Sequence, residues 1–291
     1  MSIPVSNYQL VQLTNGSWSV RSLAEGETFH PVVGPVAEAQ ALYVEQLQLP
    51  ARVAAAAENG SQEFVIWDVG LGAAANTLTV LRALHGIDRH RVRIVSFDHT
   101  ATPLEFALGN AERLGYFGGY EAPVRSLLDS GRVEFAHGSG VVTWEFVGGD
   151  FPTLLESEAS KALPAPDAIL FDAYSPARNP VMWTLPVFRA LRNRVDPSRP
   201  CALATYSRAT LLRVTLLLAG WWVGAGSATG EKEETTLAAS DRSLVGRPLD
   251  QTWIGRALRS RSAEPMVEPV YRQLPLSDET RARLLAHPQF G

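Results

Sequence analysis

The chain has 291 residues, of which 46% are hydrophobic and 19% charged, as is typical of a globular protein with room for one large α/β domain with extensions or for two small domains. Its single cysteine, Cys201, excludes an internal disulfide framework and indicates a reducing compartment. No apolar run approaches the ~18–20 residues needed to cross a bilayer, and no charged-then-apolar leader opens the sequence. We therefore expect a cytoplasmic protein with no membrane partner.

The net charge of −4 is unevenly distributed along the chain. Residues 188–291 contain 15 Lys and Arg against 10 Asp and Glu, so this part is basic while the remainder is acidic. A basic C-terminal part favours a polyanionic partner such as RNA. Compositional noise would produce the same imbalance, and both interpretations stay open.

The first 60 residues predict a small cap on the domain that follows. Tyr8–Leu13 and Trp18–Leu23 alternate in polarity around the turn signal Thr14-Asn15-Gly16, which predicts a β-hairpin. Val36–Leu49 has helical spacing, and Pro50 is expected to end that helix.

From residue 61 to 240, strand and helix patterns alternate, which predicts an α/β fold with a mostly parallel sheet covered by helices on both faces. Ligands of such sheets bind beyond the carboxyl ends of the strands. Residues 241–291 form an Arg- and Pro-rich C-terminal extension with one short helix near Trp253–Ser260. The predicted strands are 64–69, 92–97, 132–137, 141–147, 168–171, 201–206, 221–225 and 235–239, and the predicted helices are 73–85, 102–114, 183–194 and 208–219.

The stretch Phe64–Asn76, FVIWDVGLGAAAN, predicts a buried strand, a tight turn and a helix start. Asp68 ends the apolar run, and Gly70 and Gly72 permit close approach of a ligand to free N–H groups at the helix start, near Asn76. A tight turn that binds nothing would have the same pattern. The dinucleotide fingerprint G-x-G-x-x-G is not met, because residue 75 is alanine.

Acidic residues follow two further strands. Asp98 ends the second strand, where a carboxylate can accept hydrogen bonds from two ribose hydroxyls at once. Gly149 and Asp150 follow a later strand, where a side chain could contact an adenine edge. Each acid is alternatively an ordinary strand-end or turn residue in contact with solvent.

The most specific stretch is Asp167–Trp183, DAILFDAYSPARNPVMW. Its short apolar strand places Asp172 at a strand end, and the two prolines and two aromatic residues that follow predict a rigid loop, either functional or simply well packed. Lys232 sits in a late loop that could return over such a site, or it is a solvated lysine. The histidines and Cys201 lack the spacing of metal ligands, so we expect no metal.

Together these motifs resemble the methyltransferase domain of MnmC-type tRNA-modifying enzymes. DVGLGAAAN is similar to the family pattern E-x-G-F-G-T-G-x-N, and DAYSPARNPVMW to D-G-F-A-P-x-x-N-P-x-M-W. ATYSR at 204–208 and GEK at 230–232 continue the likeness, and the helix at Val36–Val44 resembles the family's Glu-containing helix. This sequence departs from the family at Ala74, which replaces the third glycine, and in the acidic residues around Lys232.

The resemblance implies a Rossmann-like class I methyltransferase that uses S-adenosyl-L-methionine to methylate the exocyclic amine of 5-aminomethyl-2-thiouridine at the tRNA wobble position. The chain stops at Gly291, so we expect only the methyl transfer to be encoded, with a separate flavin-dependent oxidase in the same pathway. By this resemblance Asp172 is the catalytic residue. The expected cofactor-binding residues are Asp68, Gly70, Gly72, Asn76, Asp98, Gly149 and Asp150, and the expected substrate-binding residues are Glu38, Tyr174, Arg178, Trp183 and Lys232.

Three other functions remain open from the sequence. An aminopropyltransferase or a small-molecule amine methyltransferase would share the acids at the strand ends. A non-catalytic RNA-binding protein would explain the basic C-terminal part. A nicotinamide dehydrogenase is disfavoured by Ala75.

Overall fold

The computed structural model describes residues 7–59, 63–229 and 233–291. The described chain forms two compact units that divide between Gly149 and Asp150, with Thr229 in the first unit. The proposed division into a cap, a central domain and an extension at residues 60 and 240 stays a prediction.

The first unit contains four strands of an α/β core and the N-terminal hairpin. In the core the strand order is β5-β6-β4-β3, with β3, β4 and β6 parallel and β5 antiparallel to β6. The register places Asp68 opposite Ser96 and Asp98 opposite Gly148. The elements are β1 (Tyr8–Gln12), β2 (Trp18–Ser22), α1 (Pro35–Ala39), α2 (Leu49–Glu58), β3 (Phe64–Val69), α3 (Ala75–Leu84), β4 (Arg91–Asp98), α4 (Thr102–Leu108), α5 (Ala111–Leu114), α6 (Glu121–Ser130), β5 (Arg132–His137) and β6 (Gly140–Gly148).

Strand β3 is buried along its whole length, at all six of its residues. A continuous apolar run of this kind is typical of a parallel strand covered on both faces. The Trp67 ring lies edge-on to Phe97 of β4, with 5.1 Å between ring centroids. The buried indole of Trp144 donates a hydrogen bond to Ser96 Oγ at 2.9 Å, so this polar atom does not stay unsatisfied in the core.

The N-terminal segment confirms the predicted hairpin, in which β1 pairs with β2 in an antiparallel register. The prediction that Pro50 ends a helix is wrong. Between α1 and α2 the chain makes a π-helical turn at Gln40–Glu45, and Pro50 lies in the first turn of α2. Proline is tolerated there because the N–H that it lacks would have no partner within the helix.

In the second unit the strand order is β7-β8-β10-β9, with β7 and β8 parallel and β10 antiparallel to both of its neighbours. Three of the four strands in each core therefore run in one direction. The elements are α7 (Phe151–Glu156), α8 (Glu158–Lys161), β7 (Ala168–Phe171), α9 (Leu185–Asn193), β8 (Ala202–Thr205), α10 (Thr210–Leu218), β9 (Trp222–Ala225), β10 (Thr236–Ala239), α11 (Gln251–Ala257) and α12 (Asp278–Leu285), with 3₁₀ turns at Pro180–Trp183 and Arg242–Leu244.

Some predicted elements are divided or were missed. The helix predicted over 102–114 is two helices, α4 and α5, separated at Gly109-Asn110. The C-terminal extension contains a second helix, α12, whose N-cap Ser277 accepts a hydrogen bond from the Thr280 N–H. Within the described ranges, no helix combines the length and apolarity needed to span a bilayer.

Candidate functional site

Phe97 and Asp98, the last two residues of β4, accept hydrogen bonds from the loops that follow β3 and β6. The Gly70 and Leu71 N–H groups donate to the Phe97 carbonyl at 2.9 and 3.1 Å, and the Gly149 N–H donates to the Asp98 carbonyl at 2.9 Å. Gly70 and Gly72 have φ values of 99° and 50°, which glycine adopts without the steric cost borne by other residues. The predicted glycine turn is thus fixed to the carboxyl end of β4.

Asp98 is itself part of this arrangement. Its Oδ2 accepts the Gly72 N–H at 2.9 Å, and its Oδ1 accepts the His99 N–H at 2.7 Å. Burial raises the pKa of the Asp98 carboxyl, while these N–H groups and the His99 charge partly offset the rise. The Thr100 N–H also lowers this pKa, so backbone donors of the neighbouring loops orient the half-buried carboxylate.

Asp68 is completely buried and stabilises the turn from within. Its Oδ2 accepts hydrogen bonds from Thr77 Oγ1 at 2.8 Å and from Ser96 Oγ at 2.9 Å. These bonds tie the first turn of α3 to β3 and β4. Asn76, also predicted as a cofactor residue, is buried in the same helical turn.

Ala74, at the position of the family's third glycine, has φ 60° and ψ 18° and is fully buried. The left-handed region costs an L-residue ~1 kcal/mol or more, mainly through its Cβ. We expect Ala74→Gly to raise the free energy of unfolding by ~0.5–1 kcal/mol and the melting temperature by about 2 °C, measured by denaturant titration and calorimetry.

The matched control is Ala75→Gly, one residue further along and inside α3. A glycine in a helix is destabilising by ~0.5–1 kcal/mol relative to alanine, so the two variants should move in opposite directions. Equal destabilisation by both would contradict the strain at Ala74.

Two aromatic residues near the turn were missed by the sequence reasoning. A Cβ on Gly72 would lie 3.4 Å from the ring of Phe29, so Phe29 packs over the glycine turn. Burial raises the pKa of Tyr8 in β1, and the nearby Asp98 carboxylate raises it further. No local pattern identifies either residue, because hairpin packing brings them to β4 from far away in sequence.

Glu38, predicted from the family resemblance, lies in the first turn of α1 and is 7% exposed. Its Oε2 is 3.8 Å from Nδ1 of His30, a residue in the left-handed region with φ 48°. Glu38 therefore belongs to the same unit as the glycine turn and lies inside the fold.

Asp150 begins the second unit and acts as a helix cap. Its Oδ2 accepts hydrogen bonds from the Thr153 N–H at 3.1 Å and from Thr153 Oγ1 at 2.6 Å, at the start of α7. One carboxylate oxygen is thus engaged in local structure.

In the second unit, Asp172 directly follows β7 and is partly exposed at the start of the predicted rigid loop. The side chains of Trp183 and Tyr206 donate hydrogen bonds to two backbone carbonyls of this loop. Trp183 Nε1 donates to the Tyr174 carbonyl at 2.7 Å, and the Tyr206 hydroxyl donates to the Ala173 carbonyl at 3.1 Å. The backbone just after Asp172 is therefore held from two sides.

Trp183 is fully buried, with its ring packed edge-on against Phe171 and Tyr206 at 5.2 and 5.9 Å between centroids. A ring in this position supports the loop and offers no free face for stacking. Tyr174 is partly exposed and keeps that possibility.

The Tyr206 hydroxyl can be tested alone, because phenylalanine keeps the ring and removes only the oxygen. We expect Tyr206→Phe to lower the free energy of unfolding by ~1 kcal/mol, since it leaves the Ala173 carbonyl without this donor, and to lower kcat severalfold while KM changes little. Tyr271→Phe, which alters an exposed tyrosine of the same unit, is the control. Identical kcat in both variants would show that the Ala173 bond does not position Asp172.

The basic side chains of the second unit differ in exposure. Arg178 is exposed in the turn closed by its N–H to the Ser175 carbonyl, at 2.9 Å. Arg213 is 2% exposed and bound to Glu234, Thr235 and Thr236, so it stabilises β10 from inside the fold. Lys232 lies outside the described residues. Among the described side chains, no group of three His, Cys, Asp or Glu is arranged to hold a metal ion.

Comparison with known proteins supports the resemblance. The family described as S-adenosyl-L-methionine-dependent methyltransferase matches residues 129–241. The bifunctional tRNA 5-methylaminomethyl-2-thiouridine biosynthesis protein MnmC of Aeromonas hydrophila is 25% identical over 72% of this chain and 32% of its own length. The MnmC protein of Burkholderia vietnamiensis is 29% identical over 67% of this chain and 30% of its own length. The chain thus spans about a third of the length of these relatives.

The crystal structure of MnmC2 from Aquifex aeolicus is similar in fold, with a TM-score of 0.69 at 21% identity over 97% of this chain and 85% of that one. Parallel strands joined by helices and a small N-terminal hairpin confirm the predicted α/β fold class.

The fold, the glycine turn and the strand-end acid are features that this chain shares with S-adenosyl-L-methionine-dependent methyltransferases, the class described by the family model that matches residues 129–241. The resemblance to the methyltransferase domain of MnmC-type proteins is confirmed. The aminopropyltransferase, RNA-binding and dehydrogenase alternatives are not favoured.

Proposed function

We propose that this chain transfers a methyl group from S-adenosyl-L-methionine to the exocyclic amine of 5-aminomethyl-2-thiouridine at the tRNA wobble position. The observation that carries the proposal is the loop after β7. Asp172 stands at its start, and the following DAYSPARNPVMW sequence matches the most specific motif of the MnmC-type domain. The names of the relatives refer to biosynthesis of 5-methylaminomethyl-2-thiouridine, the nucleoside that this methylation would produce, and so support the same substrate.

The cofactor-binding residues that we propose fit a nucleoside with a sulfonium side chain. Gly70, Gly72 and Gly149 lie at the carboxyl end of β4 with positive φ values, and the Gly72 N–H orients the Asp98 carboxylate, which we propose accepts hydrogen bonds from the ribose hydroxyls. Asp68 and Asn76 act indirectly, by holding the turn and the start of α3. Asp150, the N-cap residue of α7, is also proposed to contact the cofactor. When bound, the cofactor supplies an electrophilic methyl group.

In this proposal Asp172 prepares the nucleophile. An alkylamine has a pKa near that of lysine, ~10, and is mostly protonated at neutral pH, so the site must bind the minor neutral form, which has lost its proton to solvent and alone has a free lone pair. A carboxylate that accepts one amine N–H orients the nitrogen lone pair and stabilises the charge that develops on nitrogen during in-line attack. Alignment itself can contribute ~7–11 kcal/mol, so no strong base is needed. Trp183 and Tyr206 act as positioning residues, because they hold the two carbonyls that follow Asp172.

For the substrate, the wobble base must leave its stack to reach a protein pocket. We propose that the partly exposed Tyr174 stacks on the base and that Arg178 contacts phosphate. Glu38 and Lys232 remain candidate substrate residues from the motif. A tRNA partner, a cytoplasmic location and a separate flavin-dependent oxidase that supplies the free amine belong to the same proposal.

Mass spectrometry of modified nucleosides tests this function. The purified chain is incubated with S-adenosyl-L-methionine and tRNA that carries 5-aminomethyl-2-thiouridine, and separately with free polyamines. We expect a gain of one methyl group on the wobble nucleoside only. Methylation of free amines without tRNA turnover would favour a small-molecule methyltransferase, and cofactor binding without any transfer would overturn both.

A further inference from the structure

The first unit has a cavity beside the C-terminal end of α3, away from the glycine turn. Its volume is about 530 Å³, and its lining includes Arg82, His85, Tyr120, Phe135 and His137. Arg82 and His85 lie at the C-terminal end of α3, whereas the glycine turn precedes the N-terminal end. His137 pairs with Gly140 at the beginning of β6, next to the start of β4. The cavity therefore opens at the amino ends of the strands, opposite Asp98.

The lining is electropositive. It contains one arginine, two histidines and a tyrosine but no aspartate or glutamate, and Gly118, Gly119, Pro123 and Ala136 complete it. Among the described residues, the partly buried Arg82 guanidinium has no hydrogen bond or ion pair. The Glu121 carboxylate, just outside the lining, already accepts the Gly119 N–H at 2.9 Å. A partly buried cation without a counter-charge favours an anion in this cavity.

Glycine at 118 lets the cation lie against the backbone. A Cβ there would come within 2.7 Å of Arg82 Nη2, and φ is +46°. Pro123 and the Phe135 ring add apolar surface to the same wall. The cavity thus combines one fixed positive group with an apolar face.

A chain of hydrogen bonds runs from Tyr120 and His137 in the lining to His90. When both histidines are neutral, the protons of this chain have a single arrangement. The Ile87 carbonyl can only accept, so His90 Nδ1, at 2.7 Å, carries a proton. His90 Nε2 then accepts from His137 Nδ1 at 2.9 Å, and His137 Nε2 accepts from the Tyr120 hydroxyl at 2.8 Å. The Tyr120 hydroxyl therefore donates its proton to His137 and not to a ligand.

The groups that face His137 keep this ring neutral. Burial, together with the neighbouring His90 and His85, lowers the pKa of His137 to about 4, which the Leu81 carbonyl partly offsets. Arg82 and Tyr120 are the other polar groups near this ring. An anion beside Tyr120 changes the balance, because a nearby negative charge favours an imidazolium.

We propose that this cavity binds a small molecule that carries a carboxylate or phosphate on an apolar body, and that the Tyr120–His137–His90 chain takes up one proton on binding. Arg82 pairs with the anion. The proton, taken from water, binds His137 Nε2, which then donates to the Tyr120 oxygen. The Tyr120 hydroxyl is thereby released to donate to the anion.

Calorimetric titration with benzoate tests the proposal, because its carboxylate stays ionised above pH 5.5. We expect saturable binding in the millimolar range or tighter, about tenfold weaker in Arg82→Gln and unchanged in Arg125→Gln, an exposed arginine of α6. Phenyl phosphate should bind more tightly than inorganic phosphate, because only the former has an apolar body. Absence of saturable binding, or equal affinity in wild type and Arg82→Gln, overturns the site.

Proton uptake is measured separately. Wild-type affinity for benzoate should fall several-fold between pH 5.5 and pH 7.5, and titration in two buffers of different ionisation enthalpy should show net proton uptake. Tyr120→Phe should bind more weakly at pH 5.5 and lose most of the pH dependence. Equal wild-type affinity at both pH values overturns the proton coupling. NMR of the histidine side chains must place the change at His137, and perturbation confined to the glycine turn would assign the binding to the methyltransferase site instead.

Discussion

Asp172→Asn is expected to lower kcat for methyl transfer by about 10³-fold, within the ~10²–10⁴-fold range of general acid–base groups, while the Kd for S-adenosyl-L-methionine changes less than threefold. Asparagine keeps the size of the side chain but removes the charge that orients the amine and stabilises the developing cation. Asp172 directly follows β7 in a loop held at two carbonyls, so the substitution should leave the loop in place.

Single-turnover rates and calorimetry measure the two effects independently. Asp241→Asn is the matched control, because Asp241 is an exposed acid of the same unit that caps a 3₁₀ turn, a role that asparagine also fills. A kcat within tenfold of wild type in Asp172→Asn would remove this residue from the mechanism without affecting the assignment to the methyltransferase class.

The second large effect is on cofactor binding. Asp98→Asn should weaken the Kd for S-adenosyl-L-methionine by about 100-fold, or ~2.7 kcal/mol, since charge-assisted hydrogen bonds to two hydroxyls are lost. At saturating cofactor, kcat should change little. Because one side-chain oxygen can still accept one of the two backbone N–H groups, we expect the free energy of unfolding to stay within ~1 kcal/mol of wild type.

The same residue gives a pH dependence. Burial raises the Asp98 pKa, so this carboxylate takes up a proton at a higher pH than an ordinary aspartate does. The affinity of the wild type for S-adenosyl-L-methionine should fall as the pH is lowered through that range. Asp98→Asn should show no such fall. Asp88→Asn, an exposed acid of the same unit that accepts a hydrogen bond from Ser139, is the control. A wild-type Kd that responds to acid pH no more than that of Asp98→Asn would contradict the ribose role of Asp98.

The strand–turn–helix at Phe64–Asn76 was predictable because its signals are local. A fully apolar strand, two glycines that need positive φ and a run of small residues each restrict the backbone over a few positions. The same holds for Asp98 and Asp172, which follow apolar runs and were expected at strand ends. The prediction at Pro50 was wrong because proline occurs in the first turn of helices as well as after their ends. Only the tertiary structure distinguishes the two positions.

Other roles depend on contacts between residues far apart in the sequence. The Trp183 side chain functions equally well on a surface, and the sequence does not record that it is buried. Phe29 and Tyr8 reach the end of β4 through the fold of the N-terminal hairpin. The His90–His137–Tyr120 chain joins residues 17 and 47 positions apart, a separation that leaves no periodic signal.

The sequence by itself determined the fold class, the glycine turn, the acids at the strand ends and the resemblance to one methyltransferase family, because backbone restrictions and apolar periodicity act over short distances. Only the tertiary structure decided that Asp98 binds the Gly72 amide, that Tyr206 and Trp183 hold the carbonyls after Asp172, and that an unpaired Arg82 lines a cavity at the amino ends of the strands. Hydrogen bonds, burial and ion pairing depend on which distant residues packing brings together.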